Sequence, residues 1–166
     1  MIKPIRSIGF IEEDPVTLDH VAIAQRFSLA AAEWAVTPHF DPVERWYHRL
    51  AVADDYEVWL LTWMPGQGTE IHDHGGSAGA FHVHAGTLVE DTVSVHGGTP
   101  RVVSRELGEG VSRRFGSHHI HRIENRSSRP AVSVHVYGPA LTSMTKYRLG
   151  PDRLEVRTVE RAGAQW

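Results

Sequence analysis

Hydrophobic and polar residues follow different patterns in the two parts of the chain. From Glu57 onward, short apolar segments alternate with glycine or proline, and residues 58–64 (VWLLTWM) form a nearly continuous apolar run that stops at Pro65-Gly66. Such a run is typical of a strand buried on both faces. The other segments of strand composition are residues 79–84, 87–95, 101–107, 111–115, 120–124, 131–137, 146–148 and 154–158. Strands at intervals of about 8–12 residues predict an all-β barrel or sandwich.

The preceding part of the chain has helical periodicity. Apolar residues recur at roughly helical spacing after Thr17, a candidate N-cap, and Pro38 follows them. We therefore predict a helix that runs from Thr17 to about Val36 and is ended by Pro38. Residues 41–44 (DPVE) give a second helix-start pattern, which predicts a short helix or turn leading into residues 46–49.

We predict that all 166 residues form a single domain, because a chain of about 150 residues can bury one sizeable core. Within this domain we expect a helical portion at about 16–50 and a β-barrel at about 55–160. Residues 1–15 are expected to be a loose lead-in, and residues 161–166 are expected to fray.

Composition narrows the classes of function. The chain is 41% hydrophobic and 22% charged, as in soluble globular proteins, and its net charge of −3 does not favour a general nucleic-acid binder. No apolar run approaches the ~20 residues that span a bilayer, and no secretory leader is evident. The absence of cysteine excludes disulfides, zinc–thiolate sites, cysteine nucleophiles and iron–sulfur clusters. We therefore expect a cytoplasmic monomer or small homo-oligomer that binds neither nucleic acid nor membrane.

Histidines supply the candidate chemistry, because neutral imidazole is the commonest ligand for transition metals. Of the twelve histidines, His72 and His74 are separated by one residue. On a strand, two such side chains point to the same face and can bind one metal ion. The metal then needs at least one further ligand, and His121 is the best candidate.

The residues around these histidines resemble the two motifs of the cupin superfamily, which are small β-barrels (jelly rolls) that hold a metal in their mouth. Residues 66–86 (GQGTEIHDHGGSAGAFHVHAG) resemble the first motif, and His121 with Asn125 resembles the second. Gly79 stands where many cupins carry a glutamate ligand. The resemblance, together with the helical pattern near the N-terminus, implies a mainly all-β cupin barrel with N-terminal helices packed on one side. It also implies three histidine ligands and no carboxylate ligand.

Among cupins, the chain resembles the cysteine dioxygenases, or thiol dioxygenases more broadly. The matching segments appear in the family's order and are residues 47–49 (YHR), 71–74 (IHDH), Ser77, 121–125 (HRIEN) and 133–137 (SVHVY). The resemblance implies that His72, His74 and His121 hold Fe(II) and that a substrate thiolate binds the iron. Both atoms of O2 then end on sulfur, which gives a sulfinic acid. The implied partners are therefore O2 and a small thiol.

The expected ligand set itself favours this chemistry. Three neutral imidazoles leave Fe(II) with its full double charge, whereas a triad of two histidines and one carboxylate cancels part of that charge. A three-histidine site therefore favours an anionic ligand, and a thiolate supplies the missing negative charge.

The resemblance assigns substrate binding to Arg49 and Tyr47. The planar fork of an arginine suits a bidentate carboxylate and would orient the substrate at the iron. The alternative is a surface arginine in a helix-to-strand connection. A carboxylate-bearing thiol is thus implied, with cysteine as the first choice and 3-mercaptopropionate or a larger thiol as alternatives.

Ser133, His135 and Tyr137 alternate with valines, so one face of their strand is polar. The resemblance implies that this face turns toward the barrel lumen, where Tyr137 hydrogen-bonds to dioxygen or substrate and His135 and Ser133 orient it. The alternatives are a polar face in water, and His135 as a metal ligand in place of His121. In much of the family a cysteine crosslinks to the tyrosine, but Gly79 stands at that position, so no such bond can form.

The other histidines have no comparable pattern. His82 and His84 share a strand face, and we expect packed or polar-face side chains there in preference to a second metal site. His118 and His119 are expected to be loop residues or residues that surround the third ligand. Asp73 is expected to be a partner in a turn or in the barrel wall.

Two other functions compete with a thiol dioxygenase. One is a non-catalytic metal-binding cupin that acts as a sensor or binding module, but such a module would not need the phenol of Tyr137 beside the metal. The other is a cupin enzyme of different chemistry, such as an isomerase. Those enzymes commonly retain the carboxylate ligand that is missing at Gly79.

Overall fold

The computed structural model describes residues 18–161, so the lead-in at residues 1–15, Thr17 and most of the predicted frayed end (162–166) lie outside the described residues. The described elements are α1 (His20–Leu29), a 3-10 turn (Ala31–Glu33), β1 (Tyr47–Val52), β2 (Glu57–Trp63), β3 (Ile71–His72), β4 (Ala78–Ala85), β5 (Thr87–His96), β6 (Thr99–Gly108), β7 (Ser112–Phe115), β8 (Ile120–Glu124), β9 (Ala131–Gly138), β10 (Ser143–Leu149) and β11 (Leu154–Arg161). The strands predicted after residue 57 are all present, with bounds that differ by a few residues.

The strands form two antiparallel sheets. The strand order is β1-β2-β9-β4-β7 in one sheet and β11-β10-β3-β8-β5-β6 in the other. Side chains from both sheets share one core, to which Trp63 and Phe81 contribute from the first sheet and Leu88 and Ile123 from the second. This arrangement confirms the predicted all-β barrel.

Strand β2 is continuously apolar because both of its faces are covered. Leu61 and Trp63 point into the core between the sheets. Val58 and Leu60 instead belong to a second cluster, on the outside of the first sheet, together with Ala24 of α1. The helix therefore packs on one side of the barrel, as predicted, and covers a sheet face that would otherwise be exposed.

The predicted length of the helix was wrong. The N-cap is Asp19, whose carboxylate accepts hydrogen bonds from the backbone N–H groups of Val21 (3.1 Å) and Ala22 (3.3 Å). The helix ends at Leu29, before the 3-10 turn, instead of near residue 36. The indole N–H of Trp34 donates to the Phe27 carbonyl (2.9 Å), so a side chain satisfies one of the last helical carbonyls. No helix within residues 18–161 has both the length and the apolar character needed to cross a membrane.

Of the short helix or turn predicted to lead into residues 46–49, the structure has the turn. Tyr47–Val52 is a strand at the edge of the first sheet, and it pairs with β2, Arg49 opposite Trp59. Residues 41–44 (DPVE) form an Asx-type turn and not a helix. In this turn the Asp41 carboxylate accepts from the backbone N–H groups of Val43 (2.7 Å) and Glu44 (3.1 Å).

The first testable prediction concerns Gly79, a position in β4 that has no room for a side chain. A Cβ at this position would clash with the Val136 carbonyl oxygen and would lie 2.7 Å from Cζ of Phe115. We expect Gly79→Ala to lower the free energy of unfolding by about 1–3 kcal/mol, as overpacking does. The measurement is urea unfolding followed by circular dichroism.

Gly108→Ala in β6 is the matched control, since nothing lies within 4 Å of a Cβ there. That variant should be as stable as the parent protein. Equal stability of the two variants would contradict the close approach of β4 and β9.

Candidate active site

His72, His74 and His121 converge on one point inside the barrel. His72 in β3 lies directly opposite His121 in β8. The ring centroids are 4.9 Å apart for His72 and His121, 5.0 Å for His72 and His74, and 5.0 Å for His74 and His121. One nitrogen of each ring lies within 4.8 Å of the others. The three rings are thus close enough to bind one metal ion.

Of the neighbouring pair His72 and His74, however, only His72 lies on a strand. The strand β3 ends at His72, and His74 lies in the connection to β4, just before the turn at Gly75-Gly76. The alternation expected of an extended strand is therefore not what places the second ring. Between the two histidines, Asp73 N–H donates to the Thr145 carbonyl (3.0 Å), so this part of the connection is held against β10.

Hydrogen bonds fix which nitrogen is free on two of the three rings. Nδ1 of His72 lies 2.9 Å from the Glu70 carbonyl oxygen, and Nδ1 of His121 lies 2.8 Å from Oε1 of Glu90. Both partners only accept, so both Nδ1 atoms carry hydrogen and both Nε2 atoms keep a lone pair. Burial lowers the pKa of His72 and that of His121 below the usual value, which keeps the rings neutral and able to bind a metal.

His74 gives the clearest indication that a metal belongs here. The residue is 1% exposed, and neither ring nitrogen has a hydrogen-bond partner among the described residues. Burial lowers the pKa of His74 well below its usual value, so the ring is neutral. Phe115 stacks on one side of it, with ring centroids 4.6 Å apart. A buried polar atom without a partner is costly, and a metal ion would satisfy it.

A carboxylate that belongs to no recognised sequence motif contacts the third histidine on the side away from the metal position. Glu90 of β5 is 1% exposed and accepts hydrogen bonds from His121 Nδ1, His119 Nε2 (2.9 Å) and Arg113 Nε (2.7 Å). Burial acts to raise the pKa of Glu90, but the hydrogen bonds from His119, His121 and Arg113 outweigh it and hold the pKa well below the usual value. Glu90 is therefore an anion that orients His121.

Glu90, His119 and His121 also bring one ligand atom each within 4.8 Å. Both oxygens of Glu90 already accept hydrogen bonds, so this group is a hydrogen-bonded network. His119 contacts the carboxylate that orients the third histidine, and His118 is exposed. The only sequence indication of Glu90 was an acidic pair, Glu90-Asp91, inside an otherwise apolar strand.

The polar face of β9 is buried, so the alternative of a face in water was wrong. Ser133 Oγ lies 2.9 Å from Nε2 of His135, and Nδ1 of His135 lies 3.3 Å from the Tyr137 hydroxyl. Trp63 Nε1–H donates to Ser133 Oγ (2.8 Å), so the serine hydroxyl can donate to His135 Nε2. His135, kept neutral because burial lowers its pKa, then carries its hydrogen on Nδ1 and donates to Tyr137. The phenolic hydrogen of Tyr137 is left free to donate.

A cavity of about 380 Å³ lies beside these groups. Its lining includes Tyr47, His72, His121, His135 and Tyr137. Trp59, Leu61, Leu141 and Met144 add apolar wall, and the more exposed side chains of Glu70, Lys146 and Glu160 lie at the rim. The cavity therefore brings two of the three candidate metal ligands, His72 and His121, into one space with Tyr137 and Tyr47.

Arg49 does not line this cavity. Its side chain is 53% exposed, lies over the Trp59 ring at 5.6 Å, and has Nη1 3.7 Å from Oε2 of Glu57. Its role as the carboxylate-binding residue stays a prediction. The arginine that does line the cavity is Arg45, which the sequence analysis missed because nothing in its local pattern distinguishes it from a surface arginine.

The remaining polar residues have structural partners. Nδ1 of His82 lies 2.9 Å from Ser112 Oγ, and Nδ1 of His84 lies 2.8 Å from Ser28 Oγ. Within residues 18–161 these two histidines belong to no group of potential metal ligands. Asp73 accepts from the Tyr147 hydroxyl (2.6 Å) and from the backbone N–H of Gly75 (3.0 Å), so it is a partner in the barrel wall, as predicted.

Comparison with known proteins identifies the family. A sequence model of the family described as cysteine dioxygenase type I matches residues 5–149. The chain belongs to the cysteine dioxygenase family. Cysteine dioxygenase type 1 from Rattus norvegicus is 29% identical and that from Homo sapiens is 31% identical, each over 140 residues that cover 76% of this chain and 67% of the relative. The predicted family is thus confirmed, and the chain is a dioxygenase of the cupin superfamily.

Solved structures agree on the fold. TT1209 from Thermus thermophilus superposes with a TM-score of 0.55 at 19% identity, over 66% of this chain and 94% of TT1209. A protein with a double-stranded β-helix domain from Klebsiella pneumoniae gives a TM-score of 0.53 at 20% identity, over 65% of this chain and 80% of that protein. At this level of identity the likeness confirms the cupin-type barrel and nothing about the reaction.

Glu90 generates the second prediction. Glu90→Gln keeps the size of the side chain but removes its charge and one of its two acceptor oxygens. Because a carboxylate behind a ligating histidine orients the ring and raises its basicity, we expect affinity for a divalent metal to fall roughly 10–100-fold. The measurement is anaerobic competition for Fe(II) or Co(II) with a chromophoric chelator.

Asp91→Asn is the matched control. Asp91 is the neighbouring buried carboxylate of β5, and it is held by Ser104 (2.5 Å), Arg122 (2.7 Å) and Arg126 (2.6 Å) instead of by a histidine. This variant should lose stability but keep its affinity for metal. An equal loss of affinity in the two variants would show that Glu90 acts only through general stability.

Proposed function

We propose that the protein is a mononuclear non-haem Fe(II) thiol dioxygenase that adds both atoms of O2 to the sulfur of a small carboxylate-bearing thiol. The product is a sulfinic acid, and cysteine is the first choice of substrate. The sulfur supplies all the electrons that O2 accepts, so the reaction needs no other reductant. Oligomeric state and a cytoplasmic location stay predictions.

One observation carries the proposal. His72, His74 and His121 are neutral and buried, and they meet beside a cavity that Tyr137 also lines. This arrangement occurs in a chain of the cysteine dioxygenase family. Imidazole ligands without a carboxylate among them suit a ferrous ion that takes an anionic substrate.

The three histidines would hold the iron, and iron in such a site supplies binding positions for the thiolate and O2 and the redox chemistry that joins them. The protein's own contribution is geometric. Nε2 of His72 and of His121 face the metal position, because their Nδ1 atoms donate to Glu70 and Glu90. Apolar side chains such as Trp59 and Leu141 exclude water from the reacting atoms.

Tyr137 would act as a hydrogen-bond donor within the cavity. Burial raises its pKa above the usual value, so the phenol stays protonated. The chain from Trp63 through Ser133 and His135 ends on its oxygen and leaves the phenolic hydrogen for a bound group. Such a donor favours an oxygen atom or a thiolate and serves no purpose in a module that only stores metal.

The third prediction tests the reaction itself. Protein loaded with Fe(II) should consume O2 when it is given cysteine, 3-mercaptopropionate or another small thiol acid, and sulfinic acid should appear in equal amount. An oxygen electrode and mass spectrometry of the products with ¹⁸O2 measure both. If no thiol in the panel supports uptake by iron-loaded protein, the non-catalytic binding module becomes the better description.

The fourth prediction separates metal ligands from the donor. His72→Ala and His121→Ala should abolish iron retention, whereas Tyr137→Phe should retain iron and slow turnover by about tenfold, the effect of one lost hydrogen bond. Iron content by atomic absorption and initial rates of O2 uptake are the two readouts.

Tyr56→Phe is the matched control for the tyrosine, because Tyr56 packs on the outer face near α1 and its hydroxyl accepts from Arg26. Its rate should equal that of the parent protein. Full iron occupancy in His121→Ala would rule out His121 as the third ligand.

A further inference from the structure

Arg45 lies just before β1 and lines the same cavity as His72, His121 and Tyr137. Its Nε and Nη1 atoms are buried and have no hydrogen-bond partner among the described residues. No carboxylate oxygen of residues 18–161 forms an ion pair with its guanidinium within 4.0 Å. Arg45 thus places an unpaired positive charge beside the candidate metal site.

Other arginines that contact buried groups differ from Arg45 in this respect. Arg113 donates to Glu90, and Arg122 and Arg126 donate to Asp91. The interaction that Arg45 does make is with the face of the Trp63 ring, whose centroid is 4.9 Å from its Cζ. An aromatic face stabilises a cation, but it leaves the N–H groups of the guanidinium without acceptors.

A buried charge without a partner is costly, and removing that cost requires an anion. The histidines and the phenol of Tyr137 in the cavity lining are not carboxylates and do not compensate the charge. The lining carboxylates of Glu70 and Glu160 form ion pairs with Lys146 and Arg157, and neither they nor Glu44 pairs with Arg45. Arg49, which the family resemblance assigns to this task, is half exposed and lies near Glu57, outside the cavity lining.

We propose that Arg45, and not Arg49, binds the carboxylate of the substrate and restricts the substrate class to thiols that carry an anionic group. The part of this inference that concerns the thiol, which is its binding at the three-histidine site, rests on the proposed function. A bound thiol acid would place its thiolate at the three-histidine site and its carboxylate at the guanidinium, so that each negative group meets one of the two positive charges. A thiol with an amide or an amine in place of the carboxylate would leave Arg45 unpaired.

The test measures binding without turnover. Fe(II)-loaded protein is titrated anaerobically with 3-mercaptopropionate and with its uncharged amide, 3-mercaptopropanamide, by calorimetry. The parent protein should prefer the acid roughly 10–100-fold, the range for a hydrogen-bonded charge. Arg45→Gln should reduce this preference to within a few-fold, and Arg45→Lys should restore part of it. Near-ultraviolet circular dichroism shows whether each variant keeps its packed core.

Arg105→Gln on the exposed surface of β6 is the control and should keep the parent's preference. Arg49→Gln tests the rival assignment. Retention of the acid preference in folded Arg45→Gln, or its loss in Arg49→Gln alone, would overturn the proposal. Because no O2 is present, an acid preference that depends on Arg45 would stand even if oxygen uptake failed, so the two hypotheses can fail separately.

Discussion

The pairing of His72 with His121 across β3 and β8 is the constraint on which the site depends. The strand β3 has only two residues, yet it bridges β10 on one side and β8 on the other. The directly opposite register brings two rings from distant parts of the sequence to within 5 Å. The backbone hydrogen bond from Asp73 to Thr145 holds the segment that presents His74 as the third ring. A slip of β3 by one residue would direct Ile71 toward the metal position and turn His72 away from it.

Charge explains why this site can be buried without a carboxylate ligand. The three rings are neutral, and the carboxylate of Glu90, which accepts from His121, also accepts from Arg113 and His119. The anion therefore orients a ligand without occupying a position at the metal. Arg45 also lines the cavity and supplies a positive charge that pairs with no described carboxylate. The positive charge of Arg45 favours an anionic molecule in the cavity, which agrees with the proposed binding of a thiol acid.

The parts of the fold and site that depend on local pattern were predictable from sequence, and the parts that depend on long-range contact were not. The strand segments follow from composition and turns, and the histidine cluster follows from motif spacing. The end of α1 depended on Trp34 reaching back to the Phe27 carbonyl, and β1 depended on the free edge of β2. Glu90 and Arg45 were missed because an acid in a strand and an arginine before one acquire meaning only from their tertiary neighbours.

Packing far from the metal fixes the orientation of the donor in the cavity. In β9, Ser133, His135 and Tyr137 face the interior, while Val132, Val134 and Val136 pack on the outer side with Ala24 of α1. Because side chains alternate between the faces of a strand, a one-residue slip would bury His135 against the helix and present valines to the metal. The helix therefore contributes to the chemistry indirectly, since the apolar cluster beneath it makes the alternative register too costly.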